Sequence, residues 1–306
     1  MLQNFNSLFD LMKAFPDEQT CIDHLKTIRW RKGAFCPYCD HDQIYEFSDK
    51  RTFKCAQCRQ RFSIKVGTIF ADTKLPLQKW FMAIWLITNH PKGIASTTLA
   101  KDLDVTQKTA WFVLHRLRYA ARTKSFNARF RMRGKVEIDE TYIGGEAKNR
   151  HGRRSGTGGG AGDKTPVVGA VERDGQVIAR VIGAASQFEM QNFVRDVVSP
   201  DAEMLVTDAH AAYRSLQGFA RHEIVNHQRG EYRRGDAHTN SIESVWALLK
   251  RQIIGIHHWV SPKHLNKYVQ EMAWRLNRRG LTLSNRMNDL LACAEGGKLS
   301  YKDLIA

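Results

Sequence analysis

The sequence predicts a multidomain chain in which a small cysteine-rich domain and a helical region precede a mixed α/β domain. Four cysteines form two closely spaced pairs between positions 36 and 58, apolar residues recur at helical spacing from 76 to 122, and short strand-like segments begin near 135. The chain has 306 residues, of which 42% are hydrophobic, so it can hold two or three domains with buried cores.

The cysteine pairs predict a zinc ribbon at residues 31–72, behind a helical lead-in at 1–30. The pattern C-x2-C occurs twice, and residues 40–54 separate the two pairs. Four thiolates would hold one tetrahedral Zn²⁺ and leave no open position, which indicates a structural ion. A chance arrangement is the alternative. The four expected ligands are Cys36, Cys39, Cys55 and Cys58.

Residues 73–122 show the pattern of a helix-turn-helix. The segment "LAKDLDV" predicts a short helix and a turn, after which Thr106 can cap a second helix. The side chains expected on its outer face, toward a DNA groove, are Gln107, Lys108, His115, Arg116 and Arg118. A plain helical hairpin that serves as a spacer is the alternative.

The formal net charge of +16 favours a polyanionic partner over a neutral one. A basic segment at 123–135 can lie along phosphates or remain a solvated linker. A membrane-surface protein is the competing interpretation, but no long amphipathic basic helix or lipidation signal supports it. No apolar run is long enough to span a bilayer. Six cysteines without a secretory signal predict a reducing bacterial cytoplasm, where Cys21 and Cys293 would be buried and unpaired.

From 136 to 285 the pattern predicts an α/β domain with a mixed sheet, followed by a tail at 286–306. Three strands precede a helix, and the second and third are joined by the Asp174-Gly175 turn. A strand, a helical turn, another strand and a long helix follow. The segment 146–165 is rich in glycine and arginine and predicts a loop.

Three acidic residues of this domain lie at the ends of predicted strands or at the start of a predicted helix, where a metal site can form. Asp139 and Asp208 are expected at strand ends, and Glu243 begins the long helix. Three such carboxylates can hold a pair of divalent cations for phosphodiester chemistry. Each also has a structural interpretation: Glu140 rather than Asp139 could be the ligand, Asp208 could cap a turn, and Asn240 with Glu243 could form a capping box.

The segments "VEIDETYIGG", "LVTDAHAAY" and "HTNSIESVWALLKR", in this order behind a four-cysteine ribbon, resemble bacterial insertion-sequence transposases of the Asp-Asp-Glu class, in the branch with a zinc ribbon. The resemblance implies a ribonuclease H-like, integrase-like catalytic domain. It implies Asp139, Asp208 and Glu243 as ligands of two Mg²⁺ or Mn²⁺ ions, with Asn240 as the alternative third ligand. Lys250 and Arg251 would contact phosphates.

The resemblance further implies an enzyme that binds the terminal inverted repeats of its element as a homodimer or larger multimer. It would cut the 3′ ends and transfer them to target DNA, in association with the nucleoid. Two other functions remain open. One is a DNA-binding regulator with an inactive catalytic fold, which has no need of all three acids. The other is a metal-dependent, structure-specific DNA nuclease, which would leave no joined strands.

Overall fold

The computed structural model describes residues 4–123, 131–144, 164–213, 216–219, 221–296 and 299–305. They divide into two compact units, the first comprising Met1–Lys124 with Gly280–Ala306 and the second Ser125–Arg279. Most of the predicted glycine-rich loop and half of the predicted basic linker lie outside the described residues. None of the described helices combines the length and the apolar character that crossing a membrane requires.

The ribbon in the first unit is a three-stranded antiparallel sheet, so the predicted zinc ribbon is confirmed as a fold. Phe53 and Phe62 face each other in its register, and the Trp30 ring lies 4.9 Å from that of Phe53. These aromatic side chains form a small core, because strands this short bury little else. The strands are β1 (Ile44–Glu46), β2 (Thr52–Cys55) and β3 (Arg61–Ser63).

The rest of the first unit is mainly helical, as the sequence predicts for 1–30 and 73–122. The sequence did not predict the helices Leu283–Ala292 and Tyr301–Ile305, which lie in the segment assigned to the end of the α/β domain and the tail. The apolar segment at 80–90 lies in α3, where Trp80, Phe81 and Ile84 are buried. Thr106 caps α5, since its hydroxyl accepts a hydrogen bond of 3.2 Å from the backbone N–H of Thr109. The helices are α1 (Leu8–Ala14), α2 (Glu18–Arg29), α3 (Leu77–Asn89), α4 (Ser96–Asp102), α5 (Gln107–Thr123), α9 (Leu283–Ala292) and α10 (Tyr301–Ile305).

The C-terminal segment 280–306 belongs to this first unit and covers part of α5. The Arg116 guanidinium donates to the backbone carbonyls of Leu299, Ile69 and Ala71 at 3.1, 2.8 and 2.8 Å. Arg118 is only 1% exposed. His115, which was expected on the same face, is fully buried. None of these three side chains is available to DNA in this arrangement, so we withdraw Arg116, Arg118 and His115 as DNA contacts. From the sequence, these side chains were expected on the exposed face of α5, because the C-terminal segment was not expected to pack against that helix.

The second unit is a five-stranded mixed sheet, as predicted, and helices pack on both of its faces. The strand order is β6-β5-β4-β7-β8; β4, β5 and β6 are antiparallel neighbours, and β7 and β8 run parallel to β4. The strands are β4 (Lys135–Ile143), β5 (Thr165–Glu172), β6 (Val177–Val181), β7 (Met204–Asp208) and β8 (His222–Val225). The helices are α6 (Gln187–Val197), α7 (Asn240–Gln252) and α8 (Pro262–Asn277).

Alternation along β4 assigns its side chains to two different layers. Val136 and Ile138 pack against α6, in a core that includes Phe193. Ile143 packs on the other face, in a core that includes Trp246 of α7. Successive residues of a strand point to opposite faces, so the acids of β4 are also divided between these two layers.

Candidate active site

Three carboxylates meet where β7 ends beside β4. Asp139, Glu140 and Asp208 each offer one oxygen, and these oxygens lie within 4.8 Å of one another. The parallel register pairs Ile138 with Thr207, so the residues that follow are neighbours. The structure corrects one expectation: Asp139 lies inside β4, which continues to Ile143 alongside β5, and only Asp208 ends its strand.

Each member of this acidic cluster has a different hydrogen-bond partner. The indole Nε1 of Trp246 donates to Asp139 Oδ2 at 3.0 Å, on the α7 side of the sheet. On the α6 side, the Tyr213 hydroxyl donates to Glu140 Oε2 at 3.0 Å. Asp208 Oδ1 accepts from the backbone N–H of His210 at 2.9 Å. The carboxylates are therefore held in place, yet each keeps oxygen lone pairs for a further ligand.

The electrostatics of the cluster favour a bound cation. Burial, followed by repulsion from Glu140 and Asp208, raises the pKa of Asp139 to about 8. Burial and then Asp208 also raise the pKa of Glu140, against the opposing effects of His210 and the Tyr213 hydroxyl. A divalent cation would relieve this repulsion, and carboxylate oxygens are the ligands that Mg²⁺ and Mn²⁺ accept readily. The residues present thus fit the metal that the sequence predicts.

Glu243 and Asn240 lie in the first turn of α7, outside the acidic cluster. The side chain of Glu243 is 48% exposed, accepts a hydrogen bond of 3.0 Å from the Thr239 hydroxyl, and lies 3.6 Å from His227 Nδ1. Asn240 is exposed. Within the described part of the chain, the acidic group comprises only the three residues of β4 and β7. The assignment of Glu243 or Asn240 as third ligand stays a prediction.

The start of α7 is capped by a residue that the sequence interpretation missed. The capping box between Asn240 and Glu243, which was the alternative interpretation of these residues, does not form. Instead the Glu137 carboxylate of β4 accepts hydrogen bonds from the backbone N–H groups of Ser241 and Ile242, at 2.8 and 3.1 Å. Glu137 lies two residues before Asp139 and therefore on the same face, which is the one signal that could have indicated it.

The four predicted zinc ligands converge in the ribbon. Their Sγ atoms lie within 4.8 Å of one another, with Cys36–Cys58 and Cys39–Cys55 separations of 3.6 Å. Tetrahedral Zn²⁺ with bonds of about 2.3 Å requires sulfur separations of about 3.8 Å. The backbone N–H of Tyr38 also donates to Cys36 Sγ at 3.4 Å, as expected for a thiolate ligand. This donor set fits one structural zinc ion.

The remaining candidates for DNA contact are exposed. Gln107 and Lys108 are at the start of α5, where Gln107 Nε2 donates to Ser96 Oγ at 2.9 Å and Lys108 Nζ lies 4.8 Å from the centre of the Tyr301 ring. Lys250 and Arg251 are exposed in the last turn of α7. These side chains can reach a phosphate, and their role in DNA binding stays a prediction.

The raised pKa of Asp139 predicts how the stability of the protein depends on pH when no Mg²⁺ or Mn²⁺ is added. Its ordinary value is 3.8, and in the folded protein it is about 8. Between these values the folded state keeps a proton that the unfolded chain has released, so stability falls as pH rises through this range. We expect Asp139→Asn to reduce this dependence, to which Glu140 also contributes because its pKa is raised, and to raise the melting temperature at pH 8 by roughly 5 °C or more.

The measurement is a melting curve at pH 5, 6, 7 and 8, with the zinc site loaded and no other divalent cation. Asp196→Asn is the matched control, because Asp196 is exposed and paired with Arg180 at 3.1 Å. Mn²⁺ added at pH 8 should stabilise the wild type and not Asp139→Asn. Equal pH dependence in the wild type and Asp139→Asn would contradict the buried, repelled carboxylate.

Both the acidic cluster and the four-cysteine site lie in segments that match known protein families. The ISXO2-like transposase domain matches residues 131–277, which contain the acidic cluster, and the transposase zinc-ribbon domain matches residues 16–61. An uncharacterised protein in transposable element ISH50 of Halobacterium salinarum is 30% identical over 283 residues, 87% of this chain and 92% of the relative.

Among solved structures, a pre-cleavage Mos1 transpososome matches 72% of this chain and 80% of its own at 12% identity, with a TM-score of 0.26. The two family matches and the extent of the similarity to the ISH50 protein confirm the resemblance drawn from the three acidic segments and the cysteine pairs. The chain therefore belongs to the ISXO2-like transposase family, with a zinc ribbon in front of its transposase domain.

Proposed function

We propose that this transposase binds the terminal inverted repeats of its element, cuts the 3′ ends and transfers them to target DNA. The observation that carries the proposal is the acidic cluster of Asp139, Glu140 and Asp208 at the end of β7, within the segment that the transposase domain matches. In cutting, water attacks a phosphorus atom and releases a 3′-hydroxyl. In transfer, that hydroxyl attacks a target phosphodiester, forms a new P–O bond and displaces a target 3′-hydroxyl.

Asp139 and Asp208 are the proposed ligands of two Mg²⁺ or Mn²⁺ ions, with Glu243 as the third protein ligand. Glu140, which lies in the cluster, and Asn240, which begins α7, are the alternatives for the third position. Bound divalent cations would supply an activated oxygen nucleophile and stabilise the leaving oxygen. Glu243 lies outside the acidic cluster and would have to move toward it to bind the same metal, whereas Glu140 already lies in the cluster, where the Tyr213 hydroxyl donates to it.

The proposed DNA contacts lie in both units. The ribbon at 31–72 and the helices at 73–122 would bind the element ends, with Gln107 and Lys108 directed at the DNA. Lys250 and Arg251 would contact phosphates beside the catalytic domain in the second unit. The net charge of +16 supports a polyanionic substrate. Joining two ends requires at least a dimer on DNA, and the nucleoid in the bacterial cytoplasm is the expected location.

The test uses duplexes of the DNA that flanks the gene in its native genome. We would incubate the full chain with Mg²⁺ or Mn²⁺ and map 3′ nicks and joined products at nucleotide resolution. The wild type should nick at discrete flanking positions and join the freed ends. Asp139→Asn and Asp208→Asn should lower both products by at least about 100-fold, since each removes a charged metal ligand.

Three further variants identify the third ligand: Glu243→Gln, Glu140→Gln and Asn240→Ala. Loss of nicking in only one of them assigns that residue, and Asp196→Asn controls for the loss of an exposed negative charge. Nicks that depend on DNA structure and never yield joined strands would indicate the nuclease. Specific binding without cleavage in either metal would indicate the regulator and overturn the proposed activity.

A further inference from the structure

The hydrogen bond between Trp246 and Asp139 links helix α7 to the middle of the acidic cluster. Trp246 is 4% exposed and lies in the apolar core between α7, α8 and the sheet. Its Nε1 donates to Asp139 Oδ2 at 3.0 Å. An indole N–H can only donate, and it neither titrates nor binds metal. It can therefore fix one oxygen of Asp139 and leave the other free for a cation.

Glycine at position 169 lets the indole reach this carboxylate. Gly169 lies on β5 directly opposite Asp139 in the antiparallel register. A Cβ atom at this position would be 2.6 Å from Trp246 Cη2 and 2.9 Å from Cζ2, well inside any real carbon contact. The ring therefore lies against the bare backbone of β5, and any larger residue would displace it.

Trp246 also connects the cluster to the start of α7. It follows Glu243 by one helical turn, and the first backbone N–H groups of the helix bind Glu137 of β4. Two contacts thus attach α7 to β4, one at Glu137 and one at Asp139, which are two residues apart on one face. Between them they set the position of the first turns of α7 relative to the carboxylates.

We propose that Trp246 is a positioning residue for metal binding, which holds Asp139 in its ligand conformation, and that Gly169 is required for Trp246 to do so. This inference rests on the proposed function, because it takes Asp139 as a metal ligand. Residues that hydrogen-bond a metal ligand typically change metal affinity by 10- to 100-fold when they are replaced. Trp246→Phe, which keeps an aromatic ring and removes the donor, should weaken Mn²⁺ binding about tenfold.

The first experiment measures Mn²⁺ binding to the zinc-loaded full chain without DNA, from the electron paramagnetic resonance signal of free Mn²⁺. Trp274→Phe is the matched control: Trp274 is 1% exposed in the same unit, and its Nε1 has no hydrogen-bond partner among the described residues. We expect Asp139→Asn to abolish the site, Trp246→Phe to weaken it, and Trp274→Phe to leave it unchanged.

Two other outcomes would contradict the positioning role of Trp246 and the proposed metal site, respectively. If Asp139→Asn abolishes Mn²⁺ binding while Trp246→Phe binds like Trp274→Phe, the positioning role is wrong and the proposed metal site stands. If Asp139→Asn binds Mn²⁺ like the wild type, the metal site of the proposed function is wrong, and the role of Trp246 fails with it.

A second experiment tests the part played by Gly169. Gly169→Ala alone should lower the melting temperature and weaken Mn²⁺ binding, because the new methyl group displaces the indole. The Cη2 and Cζ2 atoms that it meets are absent from phenylalanine, so the same change should have a smaller effect in the Trp246→Phe background, where the 3.2 Å contact with Ile242 Cδ1 remains. Equal effects of Gly169→Ala in the two backgrounds would show that the glycine serves the backbone rather than Trp246.

Discussion

Replacing Cys58 by serine is expected to release the zinc ion and to unfold the three strands of the zinc ribbon, β1 to β3. Zinc binding contributes on the order of 10 kcal/mol to the folding of small metal-dependent domains. The three strands of the ribbon have three or four residues each and share a small aromatic core, which cannot replace that contribution. Cys58 is partly exposed, so a serine hydroxyl can reach water and the effect reports the lost ligand.

The measurements are zinc content and hydrogen exchange along the chain. We expect one zinc per chain in the wild type, less in Cys58→Ser, and loss of protection in β1 to β3 with protection retained in α3 and α5. Cys293→Ser is the control, because Cys293 Sγ donates to the backbone carbonyl of Asp289 at 3.1 Å and serine can make the same bond. A ribbon that stays protected in Cys58→Ser would contradict a structural role for zinc.

Replacing Glu137 by alanine is expected to cost about 3–5 kcal/mol of unfolding free energy. The Glu137 side chain is fully buried, and Arg173 Nε donates to it at 2.8 Å from a position that is 18% exposed. Its removal leaves this guanidinium without its carboxylate and leaves the N–H groups of Ser241 and Ile242 uncapped.

Urea unfolding of the full chain measures this effect. Asp236→Ala is the matched control, since Asp236 forms an ion pair of 2.9 Å with Lys135 whose side chains are 60% and 30% exposed. Exposed pairs contribute less than about 1 kcal/mol. The loss of unfolding free energy in Glu137→Gln should lie between those of Glu137→Ala and Asp236→Ala, because the amide can accept hydrogen bonds but carries no charge. A cost for Glu137→Ala no larger than that for Asp236→Ala would refute the capping role.

Several features of this protein follow from local pattern alone. The two C-x2-C pairs predict the ribbon and its four converging thiols, because ligand spacing within a tight turn is a local property. The order of strands and helices from 135 to 252 follows from periodicity and turn residues. Asp139 and Asp208 could be chosen as neighbours because each belongs to a strand of one sheet.

Other features depend on contacts between residues that are far apart in the chain. Arg116 has the spacing of an outer helical position, but the segment around Leu299 covers it. Asn240 and Glu243 have the spacing of a capping box, but Glu137, more than 100 residues earlier, occupies the helix start. Local propensity cannot anticipate these contacts, because each is decided by which element packs on which face.

In the acidic cluster, too, some features follow from the local sequence and others from long-range contacts. Sequence alone determined that this chain has a four-thiol ribbon, a mixed sheet and acids at the end of β7 and in β4. Only the tertiary structure decided that Glu140 joins Asp139 and Asp208 while Glu243 lies outside their cluster, and that Trp246 donates a hydrogen bond to Asp139. The physical reason is that spacing along the chain sets which way a side chain points, whereas long-range packing sets what it meets there.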